Sequence, residues 1–111
     1  MNIRFLFFLL LLFGISAGCS KKNPPTPTTN EVWLEYKMFQ PTQLSIVKGT
    51  TITFVNKDNA DHTAHETSNL FYSGKLHSGD KYSYTFNTPG TYYVYCDFHA
   101  INSEQTAILV K

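Results

Sequence analysis

The chain has 111 residues, a formal net charge of +1, 42% hydrophobic residues and 15% aromatic residues. That length holds one domain at most, which excludes a two-domain enzyme, a large cofactor fold and a multi-span membrane protein. Arg4 is the single arginine, and the rest of the chain balances eight lysines against eight carboxylates. Such a surface lacks the basic footprint that nucleic-acid binding needs.

Residues 1–18 hold one early cation, Arg4, then an apolar run over 5–13, then the small residues Ser16, Ala17 and Gly18. This three-part pattern predicts a secretory signal, with a core too short for a typical spanning helix. The stretch Ile15-Ser16-Ala17-Gly18-Cys19-Ser20 resembles a bacterial lipoprotein box, although Ser16 stands where leucine is usual. The resemblance implies that Cys19 is acylated and anchors the chain to a bacterial membrane, facing the periplasm or the cell exterior. Residues 19–30 then form a tether rich in proline and threonine, with Pro24, Pro25 and Pro27. A stretch without large apolar residues cannot build a core and is expected to be an extended, semi-rigid spacer. The folded domain is expected over 31–111.

Strand signals fill that remainder. An aromatic and branched run covers 32–39 and is broken by Pro41. Residues 43–47 alternate up to the Lys48-Gly49 turn, and 50–56 alternate again with Ile52 and Phe54 on one face. A polar loop follows from Asn56 to Asp61, and His77-Ser78-Gly79-Asp80 forms a second turn. Residues 81–86 place Tyr82, Tyr84 and Phe86 on one face. Asn87-Thr88-Pro89-Gly90 is a strong turn, 91–96 is a strand, and 107–110 is the last. No helical periodicity competes. The pattern predicts an all-β fold, a Greek-key β-sandwich of seven to eight strands.

Two cysteines are present, Cys19 and Cys96. If Cys19 carries lipid, Cys96 is a lone thiol in an exported chain. Such a thiol needs burial, modification or a metal. Cys96 ends a strand, and His99 follows three residues later, a spacing at which thiolate and imidazole can meet one metal ion. A second imidazole must come from elsewhere. His62 follows the polar loop, which a sandwich can bring to the same end as Cys96. Two imidazoles and one thiolate, with a weak axial ligand, make the type 1 or blue copper set.

From Phe39 to Val110 the chain resembles the cupredoxins, the group of plastocyanin, pseudoazurin and amicyanin. The resemblance rests on Phe39-Gln40-Pro41, on Gly49 to Asp58 leading to His62, on Phe71-Tyr72-Ser73-Gly74-Lys75-Leu76, on Gly79 to Phe86, and on Pro89 to Cys96 leading to His99. It implies that His62, Cys96 and His99 are equatorial ligands of one copper ion. The family's axial methionine is missing here, and Met38 is the one methionine beyond Met1. Matching the closing strand places Glu104 at the axial position, with Gln105 and Asn102 as alternatives. All three are oxygen donors, harder than a thioether, and a carboxylate there is expected to lower the potential and shift the colour from blue toward green or red. Thr63 stands where relatives often carry asparagine, and Asp97-Phe98 replaces a Ser/Thr-Pro pair. The bridge to the cysteine loop is therefore expected to differ.

His65 lies three residues from His62, on the opposite face of a strand, and is expected at the surface or pocket edge. His77 is expected to be exposed. The reading that follows is a monomeric, membrane-anchored electron carrier with transient redox partner proteins. The alternative is a copper-binding module for delivery or resistance, and a metal-free sandwich for assembly is a third. One N2S site, without a second metal set or a nucleophile–base pair, gives no reason to expect an enzyme.

Overall fold

The computed structural model describes residues 25–99 and 104–111. The strands, in chain order, are β1 (Glu31–Glu35), β2 (Met38–Gln40), β3 (Gln43–Ile46), β4 (Thr50–Asn56), β5 (His65–Glu66), β6 (Lys81–Phe86), β7 (Gly90–Tyr95) and β8 (Gln105–Val110). They form two four-stranded sheets, ordered β2-β1-β4-β6 and β3-β8-β7-β5. Each sheet is mixed: β1 runs parallel to β4, and β3 parallel to β8. No helix occurs among the described residues, so the all-β sandwich and its strand number agree with the sequence pattern.

The period of two explains the core. In β4, Ile52 and Phe54 are fully buried, while the outward Thr51 and Thr53 pair their hydroxyls across to Thr85 and Ser83 at 2.7 and 2.8 Å. That cross-strand pairing gives the solvent face its register. In β6 the inward set is Tyr82, Tyr84 and Phe86, stacked about Phe71 at centroid separations of 5.8, 4.4 and 5.9 Å. Burying one such aromatic contributes about 1.5–3 kcal/mol. The two glycine turns foreseen in the sequence are present: Gly49 at φ 89° and Gly79 at φ 85°, a region that residues with a Cβ seldom enter.

The run 32–39 is two strands, not one. Tyr36 and Lys37 both take positive φ, 53° and 59°, and turn β1 back onto β2 as an antiparallel hairpin. A two-residue turn of this type usually announces itself as Asn-Gly or Asp-Gly. Here neither turn residue is Gly, Asn or Asp, and Tyr36, a strand former, is 76% exposed. The last strand begins at Gln105, two residues earlier than its apolar pattern suggests. Residues 25–30 join no strand, but the Asn30 carbonyl accepts the Thr53 amide at 2.9 Å, so the chain just before β1 is stitched to β4.

Candidate metal centre

Strands β7 and β8 pair antiparallel with Tyr95 opposite Gln105 and Val94 opposite Thr106. One step further, the Cys96 amide donates to the Glu104 carbonyl at 3.3 Å. Alternation sends Val94 and Cys96 inward on one strand, and Glu104, Thr106, Ile108 and Val110 inward on the other. The sulfur and the carboxylate therefore enter the same end of the core as a consequence of register. Gln105, one position out of phase, belongs to the opposite face and is half-buried. Asn102 lies outside the described residues. Met38 sits in β2, 43% exposed, and is not among the converging donors.

The two imidazoles arrive on loops. After Cys96 the chain turns, the His99 amide donating to the Cys96 carbonyl at 3.3 Å, which brings a His99 ring nitrogen within 4.8 Å of the sulfur. His62 exchanges two backbone hydrogen bonds with Leu76, at 3.0 and 2.7 Å. The loop before it hangs on Asn56, fully buried at the end of β4. The Asn56 amide nitrogen donates to the Ala60 and Leu76 carbonyls at 2.8 Å each, and its oxygen accepts the Asp58 amide at 2.9 Å. Asp58 in turn accepts from His62 Nε2 at 2.9 Å. That bond holds the Asp58 carboxyl below its ordinary range, helped by the Asn59 amide. Nδ1 of His62 is thereby left pointing inward.

Four donor groups converge: His62, Cys96, His99 and Glu104 offer ligand atoms that all lie within 4.8 Å of one another. Cys96 Sγ is 3.8 Å from His62 Nδ1, and the two rings are 5.3 Å apart at an angle of 37°. Glu104 Oε1 is 2.8 Å from His62 Nδ1, and Oε2 lies against His99 Nδ1. These contacts lack hydrogen-bond geometry: both Glu104 oxygens and His99 Nδ1 are buried with no hydrogen-bond partner. The donors face a common point rather than one another. A carboxylate at 0% exposure without hydrogen bonds costs several kcal/mol unless a cation compensates it. Burial also pushes the Cys96 thiol up, against hydrogen bonds from the Thr63 and Phe98 backbone that pull it down. A metal ion answers both problems, and two imidazoles, a thiolate and a carboxylate oxygen fit one copper ion.

Thr63, next to His62, carries the bridge between the loops. Its amide points at Cys96 Sγ from 3.4 Å. Its hydroxyl donates to Asp97 Oδ2 at 3.0 Å and accepts the Asp97 amide at 2.9 Å. The two departures noted in the sequence thus complement each other. Asp97 is gripped from the far side by His65, whose Nδ1 lies 3.0 Å from Oδ1 and whose Nε2 meets Asn69 Oδ1 at 2.7 Å. The ring of His65 stacks on Tyr95 at 5.0 Å. His65 stands outside the donor cluster, and His77 is exposed beside Asp61. Sequence reading assigned no role to Asp58 or Asn56. Their signal is the Asn56/Asp58 pair opening a loop, with Asp58 four residues before the histidine.

A sandwich of two mixed sheets with an N2S cluster and a carboxylate at one end defines a cupredoxin-type domain. The chain belongs to that family: it matches the cupredoxin-like domain over residues 5–110. Among solved structures it is similar to a novel purple cupredoxin from Nitrosopumilus maritimus, with 25% identity, a TM-score of 0.66, and coverage of 73% of this chain and 98% of that one. It is also similar to a copper-containing nitrite reductase from Thermus scotoductus SA-01, at 28% identity and TM-score 0.67, but spans only 24% of that chain. A mutant amicyanin shares the fold at 21% identity and TM-score 0.67, covering 73% of this chain and 80% of its own. No curated protein sequence matches the chain.

Proposed function

We propose that this chain is a type 1 copper protein that carries single electrons between redox partner proteins outside the cytoplasm, held at a bacterial membrane through Cys19. The observation that carries the electron-carrier reading is the buried convergence of His62, Cys96, His99 and Glu104, with Glu104 lacking any hydrogen-bond partner. Bound copper would supply a one-electron Cu(I)/Cu(II) couple. In this reading His62, Cys96 and His99 would hold the ion, and Glu104 would add a fourth donor through oxygen. The anchors on His62, Cys96 and Thr63 hold the donors in place, so little rearrangement accompanies each transfer. The His99 side chain, 19% exposed, is the path from the site to a docked partner.

A hard oxygen donor favours Cu(II), which lowers the potential and moves absorption away from blue. The similarity to a relative described as purple supports a shifted spectrum. With four donors on one ion no position is left open for a substrate, so the domain acts as a carrier rather than an enzyme.

The test is a visible spectrum of the purified chain titrated with Cu(II). An intense thiolate-to-copper band that bleaches with ascorbate, returns on reoxidation and is absent in Cys96→Ala is the expected result. Only weak d–d absorption, or copper that exchanges freely without reversible redox, would sink the carrier reading and assign the chain to copper handling.

A further inference from the structure

We infer that Asp58 is a positioning and charge-tuning residue for the metal centre, acting through the His62 ring to favour Cu(II). The inference rests on the copper reading above and adds to it a residue that touches no ligand position itself. Asp58 Oδ2 lies 2.9 Å from His62 Nε2, with the His62 ring fully buried and Asp58 only 23% exposed. The carboxylate is itself fixed. Its Oδ1 accepts the Asn59 amide at 2.7 Å, and its backbone amide donates to Asn56 Oδ1 at 2.9 Å.

The consequence for His62 is geometric and electronic. A carboxylate on Nε2 keeps the proton on that nitrogen, so Nδ1 presents its lone pair to the other three donors. It also pulls on the N–H proton and makes the ring a stronger donor. A negative charge one imidazole away from the metal stabilises the doubly charged ion more than the singly charged one. Glu104 Oε1 lies 2.8 Å from the opposite nitrogen of the same ring. His62 is thus flanked by two carboxylates, and only Glu104 is placed to be a ligand. Both bias the site in the same direction, by different routes.

Asp58→Asn separates charge from geometry, because the amide oxygen still accepts from Nε2 while the negative charge is gone. Outer partners of metal-bound histidines typically contribute 10–100-fold to metal affinity. The expected result is a Cu(II) affinity lowered about tenfold in Asp58→Asn, with Cu(I) affinity nearly unchanged. For a one-electron couple that difference is a rise in potential of about 59 mV. Asp58→Ser is a second neutral variant with the same expected direction, so either one that folds gives the answer. Asp58→Glu, which keeps the charge, should restore most of the wild-type potential.

Equal losses of Cu(II) and Cu(I) affinity, with the potential unmoved, would mean that Asp58 only braces the loop and would overturn the inference. So would a potential that rises in Asp58→Glu as much as in Asp58→Asn. A wild-type chain with no thiolate-to-copper band would remove the copper reading and the tuning role together. A normal wild-type band beside an unmoved Asp58→Asn potential would remove the tuning role alone.

Discussion

The two histidines of the centre are held in opposite ways. His62 is fully buried, with Asp58 on one nitrogen, its backbone locked to Leu76, and Asn56 spanning the loop behind it. His99 is partly exposed, its amide donates to the Cys96 carbonyl, and it follows Phe98, which is 50% exposed. The loop around 56–62 is secured from within the core, whereas the turn at 96–99 is secured sideways, through Asp97 to Thr63 and His65. One histidine belongs to the scaffold, and the other faces outward. The lesson is that one donor cluster can combine an imidazole braced from within the core with another that is open to solvent.

The largest effect should come from unfastening the inner loop. Asn56→Ala removes the Ala60 carbonyl's donor and the Asp58 amide's acceptor, and leaves the Leu76 carbonyl with the His62 amide alone. A hydrogen bond lost in this way costs roughly 1 kcal/mol, so losing three should cost about 3 kcal/mol. Urea unfolding should show it as a lower midpoint at unchanged slope. A midpoint near wild type would erase the contrast between the two loops. Next comes the sideways tie. Thr63→Ala removes both bonds to Asp97 and should cost about 1.5 kcal/mol, while Thr63→Ser should recover most of it. Equal losses in the two variants would show that the methyl group matters and the hydroxyl bridge does not.

Glu104→Gln sharpens the comparison at its centre, because this side chain lies against both rings. Removing a buried carboxylate that has no hydrogen bond should stabilise the metal-free protein, on the order of 1 kcal/mol. The same change should weaken Cu(II) binding and raise the potential. A metal-free protein that is less stable, with an unchanged copper spectrum, would show that Glu104 serves the fold and not the metal.

Much of this was legible in the chain, for reasons that vary from residue to residue. Period-two alternation identifies β4 and β6, because one face of each is buried. The Cys96-x-x-His99 spacing is local, so the turn that closes it is written in sequence. His62 is distant, and the family resemblance brings it to Cys96; in the structure its Nδ1 lies 3.8 Å from Cys96 Sγ. Glu104 sits inward because alternation carries back from Thr106, Ile108 and Val110, a pattern obscured by the polar residues at the start of β8. The hairpin at Tyr36-Lys37 escaped because its turn contains no Gly, Asn or Asp, and Tyr favours strands. Asp58 escaped for another reason. Its carboxylate reads as loop polarity until the fold turns His62 back onto it. The Thr63–Asp97 bridge joins residues 34 positions apart, each of which looks like a defect when viewed alone.

The smallest effect concerns how the sideways tie depends on pH. The Asp97 carboxylate, by hydrogen bonding, raises the pKa of His65 above its ordinary 6.5, against burial that lowers it. Protonated His65 can donate to Asp97 and to Asn69 at once. A pKa raised in the folded state contributes stability that is fully present below 6.5 and is lost as pH rises through the folded value. Asp97 stays ionised across that window: burial pushes its carboxyl up, but bonds from His65 and Thr63 outweigh this and hold it below its usual range. Both side chains are partly open to solvent, which screens the pair to on the order of 0.5 kcal/mol. Wild type should therefore exceed His65→Gln in stability by most at mildly acidic pH, and the gap should close as pH rises through the raised folded-state value. A gap that is constant with pH would assign the benefit to the stacking of His65 on Tyr95. The exposed side of the centre would then be held by packing rather than by charge.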